Sequence, residues 1–166
     1  MPQTTTAFTA PVRTIIFLLR LAMAWVFLYA ASHQVFNAEF SVAGFLGQTT
    51  TFGWLFKPLT GAVIAPVVTF LVAWGHLLIG LSLLLGLMMR ASATAGIAVM
   101  ILYWMAHMDF PYIDGPLNFL LDFHIVYALV LALLIATQAG HFRGLDARVS
   151  AQEWVQRSRL LSWAAG

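Results

Sequence analysis

The chain has 166 residues, of which 61% are hydrophobic and 8% are charged, and its net charge is +2. Soluble domains carry about a quarter charged residues, so this composition argues against a water-soluble fold and predicts an all-α integral membrane domain in contact with the lipid bilayer. No basic cluster resembles a nucleic-acid-binding patch. The absence of cysteine excludes disulfides, thiolate nucleophiles, iron-sulfur clusters and Cys-based zinc sites.

Four apolar stretches are long enough, or nearly so, to cross a bilayer as helices. Crossing ~30 Å of hydrocarbon takes about 20 mainly apolar residues, and unbroken Leu, Ala and Ile runs favour helices over a closed barrel. The predicted spans are residues 15–31, 63–87, 91–108 and 117–138. We expect the first span to be a retained helix, although small residues at its end resemble a signal-peptide cleavage site.

The connection between the first two spans is long and rich in aromatic side chains, which suit the headgroup interface. Its aromatic residues are Phe36, Phe40, Phe45, Phe52, Trp54 and Phe56. We expect residues 42–56 to lie along the outer membrane surface or to dip into it as a lid, with an ordinary interfacial loop as the alternative. The other connections are a tight turn at residues 88–90 and a Pro- and Gly-containing stretch at residues 109–116.

Basic residues flank the spans asymmetrically. With the N terminus in the cytoplasm, six arginines fall on the cytoplasmic side and only Lys57 falls outside; the six are Arg13, Arg90, Arg143, Arg148, Arg157 and Arg159. The positive-inside rule then places both termini of a four-helix bundle in the cytoplasm and the protein in the cytoplasmic (inner) membrane. Residues 1–148 are predicted to form the single transmembrane domain, and residues 149–166 a basic tail that could fold as a surface helix.

Ionisable residues at membrane depth are costly and usually face a bundle interior or a cavity. Here they are Arg20, His76, Asp122 and His124, with His33, His107 and Asp109 near the outer ends of the spans. Because four of the five histidines and three of the six acidic residues fall in the outer half, the functional site is predicted there. His76, His124 and Asp122 are its predicted proton-transfer residues. Asp122 and His124 are two positions apart and need not touch on a helix.

Aromatic stripes add candidates for cofactor contact. Trp25, Tyr29 and His33 repeat at four-residue spacing in the first span, and Tyr103 aligns with His107 in the third. These stripes could flank a planar ring, and they join His76 and His124 as predicted cofactor-binding residues. The plainer interpretations are packing for the histidines, interfacial anchoring for the aromatic residues and snorkelling to the headgroups for Arg20.

Three short motifs follow one another along the chain. They are Leu19-Arg20-Leu21, then Gly80-Leu81 through Leu85-Gly86-Leu87 followed by Arg90, and Ala139-Gly140 with Gly144-Leu145-Asp146. In this order and spacing, residues 15–148 resemble the DoxX/DoxD family of small four-helix membrane proteins. The DoxD branch is the membrane subunit of a thiosulfate:quinone oxidoreductase, and other members look like partners of redox or thiol-stress enzymes. The resemblance therefore implies a membrane subunit of a redox complex, with other subunits as partners.

Family members often carry Glu in the second span, where this chain has His76, and commonly end the first span with Gly and Lys instead of Ser32-His33-Gln34. The leading hypothesis is a subunit that binds quinone through the buried His and Asp residues. One alternative is a b-type haem anchor with His76 and His124 as axial ligands. Another is a metal site drawn from His33, His107, Asp109, Asp122 and His124. The last is a non-catalytic subunit that anchors or assembles a larger membrane complex.

Overall fold

The computed structural model describes residues 8–109, 112–113 and 121–166. In chain order the elements are α1 (Ala10–Val35), α2 (Ala43–Gly47), α3 (Gly53–Phe56), a 3₁₀ turn (Lys57–Thr60), α4 (Ile64–Leu85), α5 (Met89–His107), β1 (Met108–Asp109), β2 (Tyr112–Ile113), α6 (Phe123–Ala136), a second 3₁₀ turn (Ala139–His141), α7 (Asp146–Val149), α8 (Glu153–Gln156) and α9 (Arg159–Ala164). The two short strands pair antiparallel, with Met108 opposite Ile113.

Helices α1, α4 and α5 are each long and apolar enough to cross a bilayer, with 26, 22 and 19 residues. Large apolar side chains such as Leu18, Leu78 and Leu129 remain exposed along the bundle. A soluble protein would bury such surface, whereas a lipid-facing helix presents it. The predicted all-α, multi-pass membrane protein is therefore confirmed.

Helices α4 and α5 begin and end within two residues of the predicted stretches, whereas α1 is longer than the predicted stretch at both ends and α6 is shorter. Helix α6 has 14 residues, about 21 Å at 1.5 Å per residue, and begins only at Phe123. The prediction began this span at residue 117, but residues 121 and 122 are not helical, and residues 117–120 lie outside the described part of the chain. The late start reflects Asp122, whose side chain accepts a hydrogen bond from the His124 amide and so caps the helix.

The bundle is built from two helix pairs, because α1 packs mainly on α4 and α5 mainly on α6. Gly80 allows the close approach of the first pair, since a Cβ there would lie 2.8 Å from Cγ of Leu28. Phe27, Leu83 and Leu131 are completely buried where the pairs meet. Contact at small residues with van der Waals packing is the usual basis of helix association in lipid.

The connection from α1 to α4 is an ordered cover at one end of the bundle. Val42, Leu46 and Phe56 are buried in a small apolar cluster with Ala106 of α5. The Thr50 hydroxyl donates to the carbonyl oxygen of Met108 over 2.9 Å. The connection, which includes α2 and α3, therefore packs on the helices beneath it.

Arg20 is the polar centre of the opposite end. Its guanidinium is 1% exposed and donates to the carbonyl oxygens of Ala139 at 2.6 Å, Phe142 at 3.0 Å and Arg143 at 2.8 Å. Arg20 thus turns inward and ties α1 to the segment after α6. The snorkelling interpretation is wrong, because these carbonyls supply inside the protein the partners that headgroups would otherwise supply.

Asp146 completes this end by capping α5 from a distant part of the chain. Its two carboxylate oxygens accept hydrogen bonds from the amides of Met88 at 2.7 Å and Met89 at 3.0 Å. The amides of Leu145 and Asp146 in turn donate to the Gly86 carbonyl at 3.0 and 2.9 Å. Burial raises the pKa of the Asp146 carboxyl, against the opposing effect of the two amide bonds. Arg20, Gly86, Met88 and Asp146 with their partners are called the polar node below.

Glycines make the polar node sterically possible. Gly86 ends α4 in the left-handed conformation, with φ of 62°, and a Cβ there would lie 2.7 Å from Nη1 of Arg20. A Cβ at Gly140 would overlap the Asp146 carboxylate, and one at Gly144 would overlap the Gly140 carbonyl. The family-like motifs of the sequence therefore meet at one place in the fold.

The C-terminal tail forms α8 and α9 instead of one surface helix. Val155 and Ala165 are completely buried, and α9 packs against α5. The tail therefore belongs to the packed structure.

Replacing Asp146 with Ala is expected to lower the free energy of unfolding by about 1–3 kcal/mol, because two buried α5 amides lose their acceptors. Asp146→Asn should cost less, since its one amide oxygen can still accept a bond from Met88 or Met89. Thermal unfolding in mild detergent measures both effects. The control is Glu39→Gln, which removes a negative charge at an exposed position; an equal loss of stability in that variant would contradict the proposed role of Asp146.

Candidate functional site

A cavity of about 330 Å³ lies between the four long helices at the end away from the polar node. It is found where α1 and α5 end and α6 begins, so each helix contributes one side. Its polar lining comes from Gln34, His76, Tyr103, His107, His124 and Tyr127. Concave sites of this size with a few convergent polar groups in apolar surroundings are typical of small-molecule sites.

His76 and His107 are held by carbonyl groups of their own helices. Nδ1 of His76 lies 2.6 Å from the Val72 carbonyl oxygen, and Nδ1 of His107 lies 2.8 Å from that of Tyr103. A carbonyl oxygen can only accept, so each Nδ1 carries a proton and donates it. In a neutral ring this leaves Nε2 with a free lone pair.

His124 is oriented by Asp122. The Asp122 carboxylate accepts from the backbone amide of His124 at 2.8 Å and from its Nδ1 at 2.9 Å, both through Oδ1. This contact follows from the position of Asp122 at the N-cap, where its side chain turns back over the first turn of α6. Two residues inside a helix that are two positions apart point in different directions, but Asp122 precedes the helix, so this expectation does not hold for Asp122 and His124. The carboxylate fixes the orientation of the imidazole.

The three imidazoles gather around the ring of Tyr103. That ring lies 5.6 Å from the ring of His76 and 5.6 Å from that of His124. His107 stacks on His124 at 5.3 Å with 25° between the planes. Among the described residues, none forms a hydrogen bond with Nε2 of these three histidines. The cavity therefore offers three ring nitrogens to an incoming ligand.

Gln34 adds an acceptor that the sequence analysis missed. Its Oε1 is buried and has no hydrogen-bond partner among the described residues, although the side chain lines the cavity. A buried polar atom without a partner costs about 1–3 kcal/mol unless a ligand or water satisfies it. The sequence feature that could have identified Gln34 is its neutral amide, which follows the apolar part of the first span by about one turn. It stands directly after His33, which attracts more attention as an ionisable residue.

Several predicted site residues lie elsewhere. Trp25 and Tyr29 are 66% and 56% exposed, and they point away from the bundle together with the exposed His33. Their rings contact one another along α1, with Tyr29 and His33 4.6 Å apart. Asp109 is exposed at β1. The other predicted stripe, Tyr103 with His107, does line the cavity.

A second cavity of about 170 Å³ adjoins the first and is lined almost entirely by apolar side chains. It lies beneath the α1–α4 connection, between Phe45 and Leu55 on one side and Val72 and Leu102 on the other. Tyr103 lines both cavities. The polar cavity and this apolar groove are therefore neighbours that share one aromatic residue.

Apolar helices around a polar internal cavity define a multi-pass α-helical membrane protein with a ligand-sized site. A family model described as DoxX matches residues 15–108, more than half of the chain. The chain belongs to the DoxX family. No curated protein and no solved structure matches it. The match includes His76 and His107 but ends before Asp122 and His124.

The two functions of Asp122, capping and orienting His124, can be separated by substitution. Asp122→Ala should lower the free energy of unfolding by about 1 kcal/mol through loss of the N-cap, whereas Asp122→Asn, an equally good cap, should change it little. Thermal unfolding in detergent measures the difference. If both variants unfolded at the same temperature as the wild type, the capping role of Asp122 would be refuted.

Proposed function

We propose that this protein is the quinone-interacting membrane subunit of a redox complex. In this proposal four helices cross the cytoplasmic membrane, both termini face the cytoplasm, and the cavity opens near the outer face beneath the aromatic connection. The observation that carries the proposal is the set of imidazole nitrogens in the cavity that have no partner within the described part of the chain, beside an apolar groove.

A quinone headgroup is a planar ring with carbonyl oxygens at opposite ends, and these become hydroxyls on reduction. The cavity offers aromatic faces from Phe27, Tyr103 and Phe123 for such a ring. The rings of His76 on α4 and His124 on α6 each lie 5.6 Å from the ring of Tyr103, so either imidazole can serve an oxygen of a headgroup beside Tyr103. Gln34 provides a further acceptor for a quinol hydroxyl.

Proton transfer fits the same groups. When quinol is oxidised, each hydroxyl loses a proton, and a neutral imidazole with a free Nε2 accepts it. Asp122 stabilises the resulting imidazolium of His124 through the bond at Nδ1. In the other direction, a protonated Nε2 donates to a quinone oxygen. His76 lacks a carboxylate partner and relies on the Val72 carbonyl, so the two histidines are suited to different steps.

The apolar groove suits the isoprenoid tail of a quinone. Its lining is almost wholly hydrocarbon, so a tail that leaves the lipid exchanges one set of apolar van der Waals contacts for another. Because Tyr103 lines both cavities, a headgroup beside Tyr103 would lead its tail into the groove. The amphipathic pair of cavities thus matches an amphipathic ligand.

Quinone is favoured over haem b by the contacts of Tyr103. If His76 and His124 were axial ligands, a porphyrin would have to lie between them, and the Tyr103 ring, whose centroid is 5.6 Å from each imidazole, would have to move aside. A subunit role is favoured by the absence of cysteine, since this chain cannot hold an iron-sulfur cluster through thiolates. The electrons would come from, or pass to, a partner subunit.

The four-span topology can be tested with single cysteines, because the chain contains none. Ala38→Cys and Ala147→Cys place thiols at two exposed positions. With a membrane-impermeant maleimide on spheroplasts, Ala38→Cys should be labelled directly and Ala147→Cys only after permeabilisation. Labelling of both in intact spheroplasts would mean that α6 does not cross the membrane.

Quinone binding is tested on protein purified in mild detergent from its native membrane. We expect about one extractable quinone per chain and no reducible haem bands in the visible spectrum. His76→Leu should weaken binding at least about tenfold, because one buried hydrogen bond is lost, whereas His33→Leu, at an exposed histidine, should retain it. Quinone no higher than in the surrounding detergent and lipid would refute the proposal, and large partners in such a preparation would identify an anchoring subunit.

A further inference from the structure

We propose that His107, Asp122 and His124 form a binding site for one divalent transition-metal ion in the α5–α6 wall of the cavity. One ligand atom from each residue can be chosen so that all three lie within 4.8 Å of one another. Two ligands on one tetrahedral ion, with bonds of about 2.0–2.1 Å, are about 3.4 Å apart. Side-chain movements of about an ångström therefore bring the three atoms into coordination distance.

The hydrogen bonds around these residues prepare the donor atoms. Nδ1 of His107 donates to the Tyr103 carbonyl, which leaves Nε2 of His107 as its ligand atom, and metal-binding histidines characteristically donate their second nitrogen in this way. Nδ1 of His124 lies 2.9 Å from Oδ1 of Asp122, so an ion can replace the proton between them and take Nδ1 and the Asp122 carboxylate as its other two ligands.

Burial and charge also favour an ion. Asp122 is 3% exposed, and in the described part of the chain the only charged group that can pair with it is His124. The ring centroids of His107 and His124 lie 5.3 Å apart, so one ion can reach a nitrogen of each ring. A divalent cation neutralises the carboxylate and binds both imidazoles at once.

The ligand set indicates the class of metal. Two imidazoles and one carboxylate suit Zn²⁺, Fe²⁺ and Co²⁺ better than Ca²⁺ or Mg²⁺, which prefer oxygen ligands, or Cu⁺, which prefers sulfur. Three protein ligands beside a cavity leave coordination positions open, as in catalytic sites. Of the five residues that the sequence suggested for a metal, the exposed His33 and Asp109 are excluded.

This site is distinct from the proposed quinone function in its atoms. His76 lies on α4 and is outside the three-residue group, so it remains available to a headgroup. His124 is shared as a residue, but the ion takes its Nδ1, beside Asp122, and leaves its Nε2 to the headgroup. Substitutions at His76 and His107 therefore distinguish the two proposals.

The test is Co²⁺ titration of protein purified without a histidine tag and dialysed against chelator, followed by visible absorption. We expect saturation at one Co²⁺ per chain. His107→Ala should weaken binding at least about 100-fold, the upper end of losses caused by outer-shell changes alone. His33→Ala is the matched control and should bind Co²⁺ as the wild type does. His76→Ala should also bind Co²⁺ as the wild type does, even where this variant has lost its quinone.

Asp122→Asn separates a ligand role from a structural one, because asparagine keeps the helix cap and loses the anionic oxygen. We expect this variant to unfold at the wild-type temperature and to bind Co²⁺ more weakly. Absence of a one-to-one Co²⁺ spectrum in the wild type would overturn the metal site and leave the quinone proposal standing. Equal Co²⁺ binding by the wild type and a folded His107→Ala variant would also overturn the metal site and leave the quinone proposal standing.

Discussion

The buried guanidinium of Arg20 constrains the architecture of the whole bundle. A charge with 1% exposure is tolerated in apolar surroundings only with several partners, and here the partners are three carbonyls after α6. Asp146, from the same segment, caps α5 across the turn from α4. Backbone groups at three helix ends thus find hydrogen-bond partners in the side chains of Arg20 and Asp146. The carboxylate at the N-terminus of α5 also complements the helix dipole.

The polar node at one end of the bundle helps to explain why the cavity lies at the opposite end. The polar node fixes where α1, α4, α5 and the segment after α6 meet. At the end of the bundle that holds the cavity, the histidines draw on local partners, His76 on Val72 and His107 on Tyr103. Their Nε2 atoms need no distant contact for orientation, which leaves them available to a ligand.

The sequence predicts the apolar helices well, because helix formation follows from the cost of placing unpaired polar groups in lipid. It does not predict which side of a helix faces inward. Helices that are apolar all round give little periodic signal, so Trp25 and Tyr29 were assigned to the site while Gln34 was missed. The partners of Arg20 were also inaccessible to local reasoning, since Ala139 lies 119 residues away. The Asp122–His124 contact depended on where α6 begins, a boundary that hydropathy leaves uncertain by a turn.

The residues that resemble the DoxX family and those that line the cavity serve different purposes. Arg20, Gly86 and Asp146 build the polar node, where a change would disturb the fold of any member that uses it. The cavity depends on His76, His107 and His124, which take no part in the node. Membership in the family therefore argues for this bundle, whereas the ligand must be argued from the imidazoles themselves. Because His76 stands where the resemblance leads one to expect Glu, thiosulfate chemistry does not follow from the shared fold: a neutral imidazole and a carboxylate present different charges to the same cavity.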